Sequence, residues 1–333
     1  MKQGTRSVLF LALLSNTVHF ASAITLFTTS SNYSFTTVDV PGMTNPVATG
    51  VNDLGEIVGY GTSSGNQQVG FIDDAGMFTT LSLPGSNGTM ANGLNDKGQV
   101  VGTYSDSTGT HGFEYSGGSY TSIDVPNSFP GTTKVVGINN SGQIAGNASL
   151  PQPPFGYSPA GFIDTAGTFQ LEMQGSTPSE VYLTGINNSG QVVGYGGGGR
   201  GPGGAIFATA SSLNLYAGFA QFNAINDSGQ IVANNFYLIS SPIPTSESAP
   251  FLGSTTTGFT NVYPGGASIL GINDAGVLVG DFVDSSGVQH AFEATPVAEP
   301  PSFALLACAV LALGFRVWRG QQRATPSRSK AVG

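Results

Sequence analysis

A ten-residue pattern that recurs six times limits what this chain can fold into more than any other feature. The first copy is Gly50-Val51-Asn52-Asp53-Leu54-Gly55-Glu56-Ile57-Val58-Gly59. The others occupy residues 93–102, 137–146, 185–194, 224–233 and 271–280. The leading asparagines Asn52, Asn95, Asn139, Asn187, Asn226 and Asn273 are spaced by 43, 44, 48, 39 and 47 residues. A period of that size marks a repeat architecture in which each unit is one supersecondary element. Asn and Asp bond their own backbone in tight turns, and the following Gly supplies the positive φ that closes a hairpin. An apolar pair before the turn and a β-branched run after it therefore predict strand, turn, strand.

The rest of each unit predicts a second hairpin. Gly112-Phe113-Glu114-Tyr115, Gly118 and residues 120–126 match residues 70–84 and residues 161–171. Four short strands in about 44 residues is the size of a β-propeller blade, and a parallel β-helix, with shorter coils and fewer hairpins, ranks second. The array also has complementary ends. The last unit stops after Glu293 without a fourth strand, while residues 33–41 form an orphan fourth strand resembling residues 120–126. Pairing the two closes a ring and removes two exposed edges. The expected fold is all-β, a six-bladed propeller over residues 24–295.

Composition agrees. Gly 49 and Pro 19 against 9% charged residues exclude a helical protein, and 39% hydrophobic residues exclude a disordered one. Between residues 24 and 297, three basic residues stand against eighteen acidic ones, a net charge of −15. That argues against a nucleic-acid partner, which needs a basic face. The single cysteine, Cys308, leaves no intrachain disulfide.

The two ends read as addresses. Lys2 and Arg6, the apolar run 8–14 and Ala21-Ser22-Ala23 form a secretory signal over residues 1–23, cleaved at the Ala21/Ala23 site. Residues 296–333 form a tail in which the apolar run 303–315 precedes Arg316, Trp318, Arg319 and Arg323. With Trp318 at the interface and the arginines retained inside, a transmembrane helix is expected at about 302–318. Glu299 and Pro300 before that run, and the terminal arginines after it, resemble the PEP-CTERM sorting signal of Gram-negative bacteria. Ala298 stands where the motif has its first proline. The resemblance implies recognition by an exosortase, a membrane cysteine protease-transpeptidase, and delivery to the cell surface or an exopolysaccharide matrix. The repeats themselves resemble HAF repeats of extracellular bacterial proteins, with His290-Ala291-Phe292 intact and His111-Gly112-Phe113 altered at one position. That resemblance implies a secreted or surface location.

Signs of chemistry are sparse. His111 and His290 occupy equivalent positions, filled elsewhere by Val69, Ala160 or Pro250, and read as variable strand residues. Gly61-Thr62-Ser63-Ser64-Gly65 fits the hydrolase pattern G-x-S-x-G, but no helix is expected after it, so it reads as a loop. The glycine run 196–204 lacks a following helix and a lysine, and reads as a flexible loop. Asp53, Asp96, Asp227 and Asp274 recur in the turn, with Asn140 and Asn188 replacing them, which indicates a turn role. Calcium there is a minor alternative, because Asn-Asp-x-Gly has fewer ligands than a calcium loop. No catalytic, cofactor-binding or metal residue is assigned. The expectation is a non-enzymatic surface or matrix protein, tethered by its tail before processing and contacting exopolysaccharide or envelope partners. Its candidate contact loops are 149–160 and 240–249. The alternative is a propeller enzyme acting on carbohydrate through Glu114, Glu172, Glu180 and Asp281, two of which would have to converge at about 5–9 Å.

Overall fold

Each repeated turn folds by the same hydrogen bonds. In the first copy Gly55 N donates to Asn52 O and Asn52 N donates to Glu56 O, with Gly55 at φ 84°. The equivalent glycines Gly98, Gly142, Gly190, Gly229 and Gly276 all have positive φ, as this turn requires. The computed structural model describes residues 33–297, with the short segments 17–18 and 27–28. Within 33–297 it leaves out residues 152–155, 173–178, 199–200, 210–211, 217–220, 235, 238–245, 248–249, 255–257 and 262–265. The chain forms two compact units, Met1–Pro296 and Val297–Gly333, and the body below belongs to the first.

Apart from the short pair Phe236–Tyr237 with Ser246–Glu247, whose second strand falls in the expected 240–249 loop, the described strands of the body form an all-β array of four-stranded antiparallel sheets. The first two are Met43–Val51, Ile57–Ser63, Gln68–Asp74 and Met77–Leu81, then Gly88–Leu94, Val100–Asp106, Gly109–Ser116 and Ser119–Ile123; a single parallel pair, Gln68 with Gly88, links them. The third is Lys134–Ile138, Gln143–Pro151, Tyr157–Thr165 and Thr168–Glu172, and the fourth Ser179–Ile186, Val192–Gly198, Gly201–Thr209 and Ser212–Tyr216. The fifth is Gln221–Ile225, Ile231–Asn234, Phe251–Ser254 and Gly258–Asn261. The sixth takes Ala267–Ile272, Leu278–Val283 and Gln289–Pro296, and its fourth strand is the N-terminal Tyr33–Val38, with Ala291 opposite Val38 and Pro296 opposite Tyr33.

The first strand of every sheet packs against the first strands of two neighbours, the sixth against the first, so the sheets close into the ring of a β-propeller. Apolar clusters fill the seams. Val58 meets Leu81, Ala91 and Leu94 at the first seam, and Val279 and Ala291 meet Ala48, Ile57 and Phe71 at the last. Phe71, Phe113, Phe162 and Phe292 are fully buried, each removing about 2–3 kcal/mol worth of apolar surface from water. The rings of Phe71, Phe113 and Phe162 lie on glycines of the second strand. A Cβ on Gly59 would run into Val47 O and the Phe71 ring, and one on Gly102 into Met90 O and Phe113.

Two expected loops are corrected. The glycine run is mostly strand, to Gly198 and again from Gly201, because ladder hydrogen bonds use the backbone and need no side chain. The loop expected at 149–160 is a hairpin whose strands run to Pro151 and from Tyr157. Of the Gly61–Gly65 segment, expected as a loop, Gly61, Thr62 and Ser63 end a strand and Ser64 and Gly65 form the turn, with Asn66 N donating to Ser63 O. Among the described residues no helix is long and apolar enough to cross a membrane. The expected span at 302–318, the sorting motif Glu299, Pro300, Arg316, Arg319 and Arg323, and the cleavage residues Ala21 and Ala23 lie outside the described residues.

Candidate functional sites

The six repeat asparagines meet around the axis. Asn52 Nδ2 donates to Asn95 O at 3.3 Å, Asn95 to Asn139 O at 3.0 Å, and Asn139 to Asn187 O at 3.1 Å. Asn187 donates to Asn226 O at 3.1 Å, Asn226 to Asn273 O at 3.0 Å, and Asn273 back to Asn52 O at 3.0 Å. The circle is complete. Each Oδ1 meanwhile caps its own turn; Asn52 Oδ1, for example, accepts from Leu54 N and Glu56 N. All six are buried. A buried amide with both ends satisfied is a rivet and has nothing left for a ligand.

The next residue in each turn builds a second circle. Asp53 N donates to Asp96 Oδ1, Asp96 N to Asn140 Oδ1, and Asn140 N to Asn188 Oδ1. Asn188 N donates to Asp227 Oδ1, Asp227 N to Asp274 Oδ1, and Asp274 N to Asp53 Oδ1. These side chains therefore serve the neighbouring turn, not their own as the sequence suggests. Either Asp or Asn can supply the accepting Oδ1, which explains their interchange. The circle rims a cavity of about 80 Å³. Burial pushes the Asp274 carboxyl up, and the charges of Asp53 and Asp227 add to this. Among the described residues no group of three or more His, Cys, Asp or Glu is placed to hold a metal ion.

The two histidines have more partners than their sequence positions suggest. His111 stacks on Tyr104 with centroids 5.1 Å apart, and its Nδ1 lies 2.8 Å from Asp124 Oδ1. Its Nε2 lies 2.8 Å from Thr108 Oγ1 and 3.4 Å from Asp106 Oδ1. Thr108 Oγ1 in turn donates to Asp106 Oδ1 at 2.6 Å, so the cluster closes on itself and fastens the hairpin to the outer strand. His290 repeats the motif with Phe282, 5.2 Å away, and Asp284 Oδ2 at 3.3 Å. The signal was present in the sequence as an aromatic, an aspartate and a histidine at matching positions in two units.

The outer surface carries one exposed aromatic pair among the described residues' ring contacts. Phe129 and Tyr157 meet edge to face with centroids 4.9 Å apart, and they are 48% and 53% exposed. The loop holding Phe129 is fastened to the long hairpin of the third sheet: Phe129 N donates to Ser149 O, and Thr132 Oγ1 to Phe129 O. Ser149 N in turn donates to Thr132 Oγ1. Tyr157 opens the returning strand of that hairpin.

The carboxylates of the enzymatic alternative come from different sheets. Glu114 accepts from Gln99 Nε2 on the second sheet, Glu180 lies exposed on the inner strand of the fourth, and Asp281 accepts from Gln289 Nε2 on the sixth. The side chain of Glu172 is outside the described residues. Asp164 of the third sheet feels Glu114: burial raises its carboxyl first, and the Glu114 charge adds to it.

No protein-family model matches the chain, and no curated protein matches it. Among solved structures it is similar to the β-propeller domain of the Trilobed protease from Pyrococcus furiosus, at 8% identity and a TM-score of 0.46 over 78% of this chain and 95% of that one. It is also similar to a mutant of the Aleuria aurantia lectin in complex with Fucα1-6GlcNAc, at 11% identity and a TM-score of 0.44 over 78% of this chain and 99% of that one. A third likeness is to Pyrococcus horikoshii acylaminoacyl peptidase, at 8% identity and 0.43 over 79% and 53%.

Proposed function

We propose that this is an exported, non-enzymatic surface or matrix protein, a six-bladed propeller whose outer surface binds extracellular polysaccharide. The observation that carries the binding reading is the Phe129–Tyr157 pair, two half-exposed rings held outward by a hydrogen-bonded loop and hairpin. Aromatic faces take up the apolar C–H faces of sugar rings with little loss of side-chain entropy. Asn127, Ser128 and Ser158 flank them in sequence as uncharged hydrogen-bonding groups. The acidic body disfavours nucleic acid and anionic surfaces as partners. On this reading the signal peptide exports the chain, the PEP-CTERM-like tail holds it at the membrane, and an exosortase releases it to the surface or matrix.

The test uses protein recovered from its host, mass-mapped for its ends, in affinity electrophoresis against the host's exopolysaccharide. Expected are a start near Ile24, an end near Glu299, retardation by the polysaccharide, and at least a tenfold weaker effect for F129A/Y157A. No retardation of the wild type, or release of reducing sugar from the polysaccharide, would overturn the reading.

A further inference from the structure

The inner strands are stitched across five of the six seams by side chains that donate to one carbonyl of the next unit. Ala91 O accepts from Thr49 Oγ1 at 2.8 Å, Val135 O from Asn92 Nδ2 at 2.6 Å, and Phe222 O from Thr184 Oγ1 at 2.6 Å. Leu183 O accepts from Asn147 Nδ2 at 2.9 Å, and Ile269 O from both Asn223 and Asn234. Asn147 and Asn234 act as clamps, because their Oδ1 atoms also accept from Leu183 N and Ile269 N.

The remaining carbonyl of this set is that of Ala48, fully buried where the sixth unit meets the first. Among the described residues no side chain donates to it. The bulge position that serves it in other units holds Leu270, which has no donor. The clamp position holds Asp281, directly after Gly280 as Asn147 follows Gly146 and Asn234 follows Ala233.

We propose that Asp281 is a pH-dependent latch on this closing seam. In the structure its hydrogen bond is the one from Gln289; turned toward Ala48 as the neutral acid, it would accept from Ala48 N and donate its proton to Ala48 O, as the amide clamps do. As the carboxylate it has no proton to give and sets a charge against that carbonyl. Gln289 Nε2, 3.2 Å from Oδ2, satisfies an acceptor in either state. The inner strands on both sides, Met43–Val51 and Ala267–Ile272, contain no titratable side chain. The titratable neighbours are Tyr60 of the first unit, whose phenol is raised by burial and then by the Asp281 charge, and Glu293 on the same face of the sixth. Burial pushes the Asp281 carboxyl up. A raised carboxyl contributes stability that is fully present below its unfolded value and lost as pH rises through its folded one. The seam is therefore tightest in acid.

The experiment is thermal unfolding of the full chain at pH 4 and pH 7.5 for the wild type, D281N and D281A. At pH 7.5 D281N should melt about 2–4 °C above the wild type, the gap should close at pH 4, and D281A should gain less. Amide exchange in the wild type gives a readout without substitution: protection of Met43–Val51 should rise at pH 4 relative to Ser179–Ile186. Equal melting of D281N and wild type at pH 7.5, equal gains for D281A and D281N, or unchanged relative protection would each overturn the latch.

Discussion

Asn139 shows how much the ring demands of one side chain. Its Nδ2 donates to Asn187 O and to Gln143 Oε1, while its Oδ1 accepts from the backbone of Ser141 and Gln143, all with the residue 3% exposed. Aspartate would keep the accepting oxygen, lose both donations and bury a charge against a carbonyl. N139D should therefore cost about 3 kcal/mol, whereas D53N, which keeps the Oδ1 that Asp274 N needs, should cost under about 1 kcal/mol. Urea unfolding of the two variants checks the difference; similar costs would mean that the ring is not a rivet. The turn was legible from the residues, because Asn and Gly at that spacing specify it. The ring was legible only in a detail: the first position is Asn in all six copies while the second alternates with Asp. A turn alone accepts either residue, and only a site that needs a donor and an acceptor together excludes Asp.

At the scale of strands, the N-terminal segment carries the closure. Residues 33–38 were recognisable as a fourth strand because they repeat the pattern of residues 120–126 in a chain whose last unit lacks one, and their ladder with Gln289–Pro296 has that arrangement. Phe35 packs 5.5 Å from Phe292 in the cluster that includes Leu278 and Ile269. Deleting residues 33–38 removes a buried phenylalanine, at about 3–5 kcal/mol, and bares a long edge strand. The shortened chain should melt well below the full one and elute as aggregates in size-exclusion chromatography; a monomer of unchanged melting temperature would show that closure does not depend on this strand. Elements specified by side-chain alternation were readable in this way. The glycine-rich hairpin of the fourth unit was not, since glycine has no side chain to alternate, and the third unit's long hairpin was hidden by its prolines.

For the whole molecule, the directions in which the carboxyls are shifted predict a stability maximum in acid. Asp164, Asp274, Asp281 and Glu293 are all raised, in each case first by burial, with the charges of Glu114, of Asp53 and Asp227, and of Asp73 adding to Asp164, Asp274 and Glu293 respectively. Their stabilising contribution is lost as pH rises through their folded values. Asp106 is lowered, chiefly by the Thr108 hydroxyl, and Asp284 chiefly by Val288 N. Those two contribute above the ordinary carboxylate value and lose their effect only as pH falls through their depressed values. The two sets fail on opposite sides of roughly pH 4, so stability should peak in mild acid, at about pH 4–5. The net charge of −15 on the body acts in the same direction, since ionising further carboxylates adds self-repulsion. Melting temperature measured across pH 3–8 at low salt should therefore be higher near pH 4.5 than at pH 7.5. Added sodium chloride should recover part of the loss at pH 7.5 by screening and little at pH 4.5. A maximum at neutral pH, insensitive to salt, would mean that neither the buried carboxyls nor the body charge governs the stability of the ring.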